Sequence, residues 1–528
     1  MTGAAPAPAS VSDLVVANIL DEFSFECFAP DCTLLDIHPE NFVDKLAEKR
    51  PHFLLVESAW HGRDGRWRYK VGQYSESPRD GPLGRLVDYC RSNGIPTVFW
   101  NKEDPVHFER FKDSASLFDY VFTTDHNMVD RYVESLGLAN DRVTALPFAA
   151  QPKAHNPIEA AAKRREEACF AGSYYANRHD ARRQQLDWML EGAIRNGLVI
   201  YDRNHGSNDL FHSFPLRFRP FIRGNIPYPR LSQVYKEYKC FLNVNSVIDS
   251  PTMFSRRVFE LLASGTIVVS SESVGVRNYF SGIVQFARDA SHVQKILEKI
   301  NSDDSYRREV SRAGVHRVMS EHTYAHRLAT IAQTVGYPVE SPKLPAYSAL
   351  AFVQSDNGCR DALTAITEQT AKPARIIVCV PEDGLSDASA ITKALQRFKE
   401  DTQIEAVLVT DRFHCLEVAE VADTDWLAVF RSRVRYPRTY VEDLLLTTRY
   451  VSADVIGAPS KPDRGEAIEN HYSAQIDPQC CLVSRSILRT RGWDRSPKTA
   501  VSQLKAWASE GVGCYAAYTP ESSARPPR

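Results

Sequence analysis

Residues 243–265 read NVNSVIDSPTMFSRRVFELLASG. The apolar run CFLNVNS (240–246) has the composition of a strand buried on both faces, and SRRVFELLASG has that of a helix. A strand that turns through a short polar loop into a helix is half of a βαβ unit. Working outward, EACFAGSYY (167–175), GLVIYDR (197–203), GTIVVSS (265–271) and GIVQFA (282–287) repeat the same strand character. Helical spacing separates them. In SHVQKILEKI, Val293, Ile296, Leu297 and Ile300 fall on one face.

Upstream the rhythm is the same. HFLLVES (52–58), PTVFWNKED (96–104) and FDYVFTTD (118–125) read as parallel strands, and PLGRLVDYCRSNGI places Leu83, Leu86, Val87 and Cys90 on one helical face. Two doubly wound α/β domains are therefore predicted, 13–155 and 156–335, joined through AAQPKAHNPIEAAAKRREEA. A Pro-punctuated linker, 336–347, leads to a third alternating set over 348–528: YSALAFVQSDN, ARIIVCVPEDG, IEAVLVTDR, DWLAVFRSR and ADVIGAPS. Residues 1–12, within MTGAAPAPASVSD, read as a loose tail without the basic and apolar regions of a signal peptide.

Composition fits this picture. A chain of 528 residues, 43% hydrophobic and 25% charged, is expected to be globular with several domains. Its formal net charge of −2 gives no global field that would attract nucleic acid or an anionic membrane surface. No apolar run is long enough to span a bilayer, which leaves a cytoplasmic location expected, with peripheral membrane association and a homo-oligomer both open. The eleven cysteines are scattered, without zinc-site spacing, and read as reduced core thiols, so no metal site is expected.

The chemistry is sought where strands end. A helix N-terminus at the carboxyl edge of a parallel sheet is suited to phosphate, because its free N–H groups point outward. Arg256 and Arg257 stand in the first turn of that helix, where their charge opposes the dipole unless an anion or a carboxylate compensates. Glu260 could pair with Arg256 across one turn; an ordinary surface Arg–Glu pair explains the spacing equally well. Gly172 and Ser173 end another strand, and Arg178 follows within reach of a diphosphate; a plain strand-to-helix turn is the alternative.

Taken together these segments resemble a family. RVFELLASGTIVVSS is similar to the arginine–glutamate signature of CgeB-like (spore maturation) glycosyltransferases, and FAGSYYANR to that family's glycine–arginine turn. YPRLSQVYKEYKCFLNVNS and EHTYAHRLATI resemble its preceding helix–strand and its closing helix. The resemblance implies a GT-B architecture of two Rossmann-like domains, with the nucleotide sugar held by the second. Gly172, Ser173 and Arg178 would border the diphosphate, Arg257 would bind phosphate and Glu260 the ribose. Tyr228, in the loop 226–230, would lie beside the base, with Asn245 also in the donor site. Related retaining enzymes often carry a second glutamate eight positions before Glu260, and here that position is Thr252.

The first domain is expected to hold the acceptor and a catalytic base. Glu57, His61, Glu103, Asp104 and His107 are candidates, of which His61 and Glu103 are preferred; helix capping is the structural alternative for Glu103 and Asp104. Residues 347–384 resemble the opening of a GT-A glycosyltransferase, with Glu382 and Asp383 at a strand end. Where that family carries its acidic metal motif, Phe430-Arg431-Ser432-Arg433 stands, so the domain reads as a degenerate GT-A domain unsuited to a divalent metal. The expected activity is metal-independent transfer of a sugar from a nucleotide sugar to a hydroxyl of a glycan or glycoconjugate acceptor, in cell-surface glycan synthesis. A non-catalytic sugar-nucleotide or glycan-binding scaffold and a sugar-nucleotide epimerase are the other readings.

Overall fold

The computed structural model describes residues 7–74, 77–160, 163–177, 179–207, 210–380, 388–402, 404–410, 420–431, 434–459, 469–473, 475–491, 497–510 and 512–517. The chain divides into two compact units: 1–157 with 163–342, and 158–162 with 343–528.

The first unit is built on two parallel sheets. One contains β1 (Val15–Ile19), β2 (Thr33–Asp36), β3 (Phe53–Glu57), β4 (Thr97–Asn101), β5 (Tyr120–Thr123) and β6 (Val143–Ala145) in the order β2-β1-β3-β4-β5-β6. The other contains β7 (Arg165–Gly172), β8 (Leu198–Asp202), β9 (Tyr238–Asn243), β10 (Ile267–Ser270) and β11 (Gln285–Phe286) in the order β11-β10-β9-β7-β8. Every strand pair in both is parallel. Each sheet therefore reverses its winding between its first and third strands, at β1/β3 and at β7/β9. In open α/β sheets the crevice outside the carboxyl ends at that reversal is where ligands bind.

The strands are legible because helices cover both faces. All of β3, β4 and β9 is buried, which is why these segments are continuous apolar runs. The helix Pro82–Ser92 presents the predicted stripe: Leu83, Leu86, Val87 and Cys90 are all within the first core cluster. Val293, Leu297 and Ile300 do the same in the second, with Ile296 partly buried against it. Burying each such side chain contributes roughly 1.5–3 kcal/mol.

The two halves of this unit are tied by its closing segment. The helix Tyr324–Thr334 follows the second sheet in sequence but packs on the first half. Ala150 N–H donates to the His322 carbonyl (3.0 Å) and Tyr324 N–H to the Ala150 carbonyl (3.1 Å). Arg327 donates to the Pro147 and Phe148 carbonyls, each at 2.8 Å, and the Tyr324 ring meets Phe28 edge-on at 4.9 Å. At the N-terminal end, Val11–Asp13 forms a short 3-10 turn in which Val11 is buried, so Val11 packs with the chain.

The second unit carries a mixed sheet in the order β14-β13-β12-β15-β18-β16-β19-β17. Its strands are β12 (Tyr347–Phe352), β13 (Arg375–Val380), β14 (Glu405–Thr410), β15 (Trp426–Arg431), β16 (Val455–Pro459), β17 (His471–Tyr472), β18 (Ile476–Ser484) and β19 (Cys514–Ala516). The β14-β13-β12-β15 half is parallel, and β18 runs antiparallel between β15 and β16. Glu382, Asp383, Ser432 and Arg433 lie outside the described residues, as does the Arg431 side chain.

Candidate functional site

The carboxyl edge of the second sheet gathers arginines. β7 ends at Gly172, where a Cβ would stand 3.7 Å from Arg257 Nη1 and 3.1 Å from Phe170 Cζ; glycine keeps that approach open. The Ser173 carbonyl accepts from Arg182 Nη1 and Nη2, each at 3.3 Å, and the Gly172 carbonyl from Arg203 N–H at 3.2 Å. Loss of solvation, then the neighbouring charge of Arg257, pulls Arg203 below the ordinary arginine range. Burial does the same to Arg182, with Tyr175 opposing it and Arg257 and Arg203 reinforcing it. Among the described residues no carboxylate forms an ion pair with Arg182, Arg203 or Arg257, and the buried Arg257 Nε has no hydrogen-bond partner. An uncompensated cationic cluster at a sheet's winding reversal is suited to a dianionic group.

Arg182 and Arg203 were not foreseen from the sequence. Arg182 stands in the helix Asp180–Ala193 and Arg203 just beyond β8, and neither position carries a motif. The signal was position alone: Arg203 directly follows β8, and Arg182 stands in the first turn of the helix that follows β7. Arg178 lies outside the described residues.

Glu260 is 1% exposed, so its pair with Arg256 is no surface pair. Glu260 Oε1 stands 3.1 Å from Arg256 Nη1, and Oε2 accepts from the Tyr235 hydroxyl at 3.0 Å. Burial alone would push the Glu260 carboxyl up; Arg256, followed by His155 and Arg257, overcomes this and holds it below the ordinary range. The Arg256 guanidinium lies over the Phe23 ring at 3.4 Å and over Tyr228 at 5.1 Å. Tyr228, the first residue of the helix Tyr228–Glu237, meets His155 Nε2 at 3.3 Å. His155 Nδ1 accepts from Gln151 N–H, which leaves Nε2 protonated and donating to Tyr228 in the neutral ring. Arg256 thus forms a close ion pair inside the protein, whereas Arg257, next to it, feels Glu260 only at longer range and forms no ion pair among the described residues.

Asn245 is 3% exposed and brackets the loop between β9 and the helix Arg257–Ala263, its Oδ1 accepting from Ser255 N–H at 2.9 Å while its Nδ2 has no hydrogen-bond partner. Thr252 is committed elsewhere. Its hydroxyl donates to the Thr124 carbonyl (2.8 Å) and accepts from His126 N–H (2.9 Å), and Ser250 Oγ donates to Asp125 at 2.5 Å. The position that carries a glutamate in related enzymes here fastens the loop after β9 to the loop after β5.

On the first sheet the winding reversal holds a different group. Lys102 Nζ donates to Glu57 Oε1 at 2.8 Å and to Asp21 Oδ2 at 3.4 Å. Asp21 also accepts from the amides of Trp60, His61 and Gly62, pinning the loop after β3. Glu57 is fully buried and its Oε2 has no hydrogen-bond partner; burial raises its pKa against the pull of Lys102. Of the five candidate bases Glu57 alone belongs to this network, and Asp21 and Lys102 were missed. His61 is exposed and its ring approaches Tyr69; Glu103 is half-buried on the turn after β4. Among the described residues neither side chain has a hydrogen-bond partner. His107 packs edge-on against Trp60 at 5.1 Å.

Asp104 is a buried structural carboxyl. It accepts from Asn101 Nδ2 (2.8 Å), the Thr123 hydroxyl (2.7 Å) and the Tyr132 hydroxyl (3.0 Å), and burial pushes it up to about 7 despite these bonds. A carboxyl whose folded value exceeds its unfolded one is held protonated by folding. Stability therefore falls as pH rises from about 4 to about 7, at up to about 1.4 kcal/mol per unit. Asp104→Asn is expected to flatten that slope, read as the urea midpoint at pH 5 and pH 8.

Residues 183–333 match the family described as "Glycosyl transferase-like". A search of the curated proteins finds no match. Among solved structures, a glycosyltransferase from Rickettsia africae ESF-5 is 8% identical with a TM-score of 0.40, covering 61% of this chain and 98% of its own. T4 phage BGT in complex with UDP and Mn2+ is 10% identical with a TM-score of 0.38, covering 61% and 99%. A lipopolysaccharide outer core galactosyltransferase, WaaB, is 12% identical with a TM-score of 0.35, covering 61% and 99%. Over residues 183–333 this chain is glycosyl transferase-like.

Proposed function

We propose that the donor's diphosphate sits on Arg257, Arg182 and Arg203 beside Gly172 and Ser173, and that the sugar passes to a hydroxyl of a glycan or glycoconjugate. The carrying observation is the arginine cluster without a carboxylate partner among the described residues. The acceptor hydroxyl oxygen forms the new bond at the anomeric carbon as the bond to the β-phosphate oxygen breaks, and the hydroxyl proton passes to the departing diphosphate. The negative charge that develops on the leaving diphosphate is met by guanidinium groups already in place. These cations supply the charge that a divalent metal supplies elsewhere, which supports a metal-independent reaction. Glu260, whose Oε1 is ion-paired with Arg256 but meets no hydrogen-bond donor in good geometry, is in our reading the acceptor for a ribose hydroxyl, and Tyr228 and Asn245 complete the donor side.

The CgeB-like subtype, the degenerate GT-A reading of the second unit, a cytoplasmic location and a role in surface-glycan synthesis rest on the resemblance of the quoted motifs. A binding scaffold is the second reading, favoured by Thr252, which spends its side chain on a loop contact. Incubation with a panel of nucleotide sugars in the presence of a chelator separates the two. Release of a nucleoside diphosphate at an unchanged rate when chelator is added is the expected result. Binding without release at any donor supports the scaffold, and release that stops with chelator contradicts metal independence.

A further inference from the structure

Residues 210–230, LFHSFPLRFRPFIRGNIPYPR, contain four arginines and neither Asp nor Glu, in a chain whose net charge is −2. Asp209 immediately precedes them. The segment is fastened to the open edge of the second sheet. Phe214 (3% exposed) and Phe218 (0%) enter its core, and Arg223 N–H donates to the Ile200 carbonyl of the edge strand β8 at 2.8 Å.

Within it, Leu216–Phe221 is a 3-10 helix, in which side chains three apart lie one above the other. Phe218 and Phe221 form the ridge packed against the core, whereas Leu216 and Arg219 form a ridge facing water. Leu216 is 73% exposed and Phe211 58%. Arg217 is engaged by Asp187 and Glu191, each at 3.1 Å. Arg219, Arg223 and Arg230 are exposed and, among the described residues, form no ion pair; Arg223 Nη1 donates to the Pro220 carbonyl at 2.9 Å, and its charge also acts on Glu167.

We propose that this segment docks the chain on an anionic lipid bilayer, with Leu216 and Phe211 entering the acyl boundary and Arg219 and Arg223 meeting lipid phosphates. Exposed large apolar side chains beside exposed guanidiniums are complementary to a surface that is apolar beneath and anionic above. No helix among the described residues is long and apolar enough to cross a membrane, so the contact is peripheral. The Ala176 amide donates to the Phe211 carbonyl at 2.8 Å, which ties the docking segment to the turn that follows Gly172 and Ser173. Docking therefore brings the arginine cluster close to the bilayer, where an acceptor carried on lipid is presented. The docking itself does not depend on the glycosyl-transfer reading.

The test is co-sedimentation of the full chain with vesicles of phosphatidylglycerol or of phosphatidylcholine. Binding about tenfold stronger to the anionic vesicles, and weakening with salt, is expected. Phe211→Ser with Leu216→Asp should lower it about tenfold. Arg219→Ser with Arg223→Ser should remove the preference for phosphatidylglycerol while leaving the thermal midpoint unchanged. Val43→Asp, which changes another exposed apolar residue, should leave binding as it was. Equal binding to both vesicle types, no binding to either, or variants that bind like wild type would overturn the proposal; so would selective capture of heparin or RNA with vesicles ignored.

Discussion

Lys102→Met is expected to lower stability by about 3–5 kcal/mol, because it leaves two carboxylates without their cation at the centre of the first sheet's carboxyl edge. Glu57 is fully buried; among the described residues its Oε1 receives Asp21 N–H and Lys102 while its Oε2 meets no donor in hydrogen-bond geometry, so without the ammonium its charged form is poorly tolerated. Asp21 retains its three amide donors, so the loss falls mainly on Glu57. The double variant Lys102→Met, Glu57→Gln should recover most of the loss, since a neutral amide can sit where the carboxylate could not. Urea unfolding of the two variants measures both statements. A single variant as stable as wild type would show that the network is solvated in solution.

Arg256→Met is the second large effect, again about 3–5 kcal/mol at neutral pH. Its diagnostic is the sign of the pH dependence. In the wild type Glu260 is held below the ordinary carboxylate range, so its contribution is present at neutral pH and is lost as the pH falls through that depressed value. In the variant, burial is left without Arg256 to oppose it, and the carboxyl rises above the ordinary range. The variant should therefore gain stability as the pH is lowered from 8 to 5, a span in which this pair gives the wild type no gain. Thermal midpoints at the two pH values suffice. Parallel behaviour of the two proteins would mean that His155 and Arg257 alone compensate Glu260.

These two networks also mark what a sequence does and does not disclose. The strands of the first unit are legible because helices bury both faces and force continuous apolar runs such as FLLVE and TVFWN. The stripe on Pro82–Ser92 is legible for the related reason that one helical face packs and the other does not. The Arg256–Glu260 pairing follows from i,i+4 spacing, but its burial does not. Phe23 covers Arg256 from a helix some 230 positions away in sequence, and only the fold brings it there. Asp21, Glu57 and Lys102 come from three strand ends, and nothing local distinguishes Lys102 from any surface lysine. The strand Ile476–Ser484, central in the second unit, is not among the predicted strands, because its polar start IDPQ leaves only the short apolar run CCLV to mark it. His61 and Glu103 were chosen as residue types that accept protons near strand ends; the groups that the fold draws together there are Glu57, Asp21 and Lys102.

The central claim is that a nucleoside diphosphate is held by the arginine cluster at the carboxyl edge of the second sheet. Calorimetric titration of UDP, GDP, ADP, CMP and dTDP into the wild type and Arg257→Ala, without metal, tests it most directly. One diphosphate is expected to bind the wild type selectively, with at least about tenfold weaker binding to the variant, as a lost charge-assisted contact of about 1.5–3 kcal/mol implies. Binding of none of them, or equal affinity for the two proteins, would contradict the assignment of the donor site.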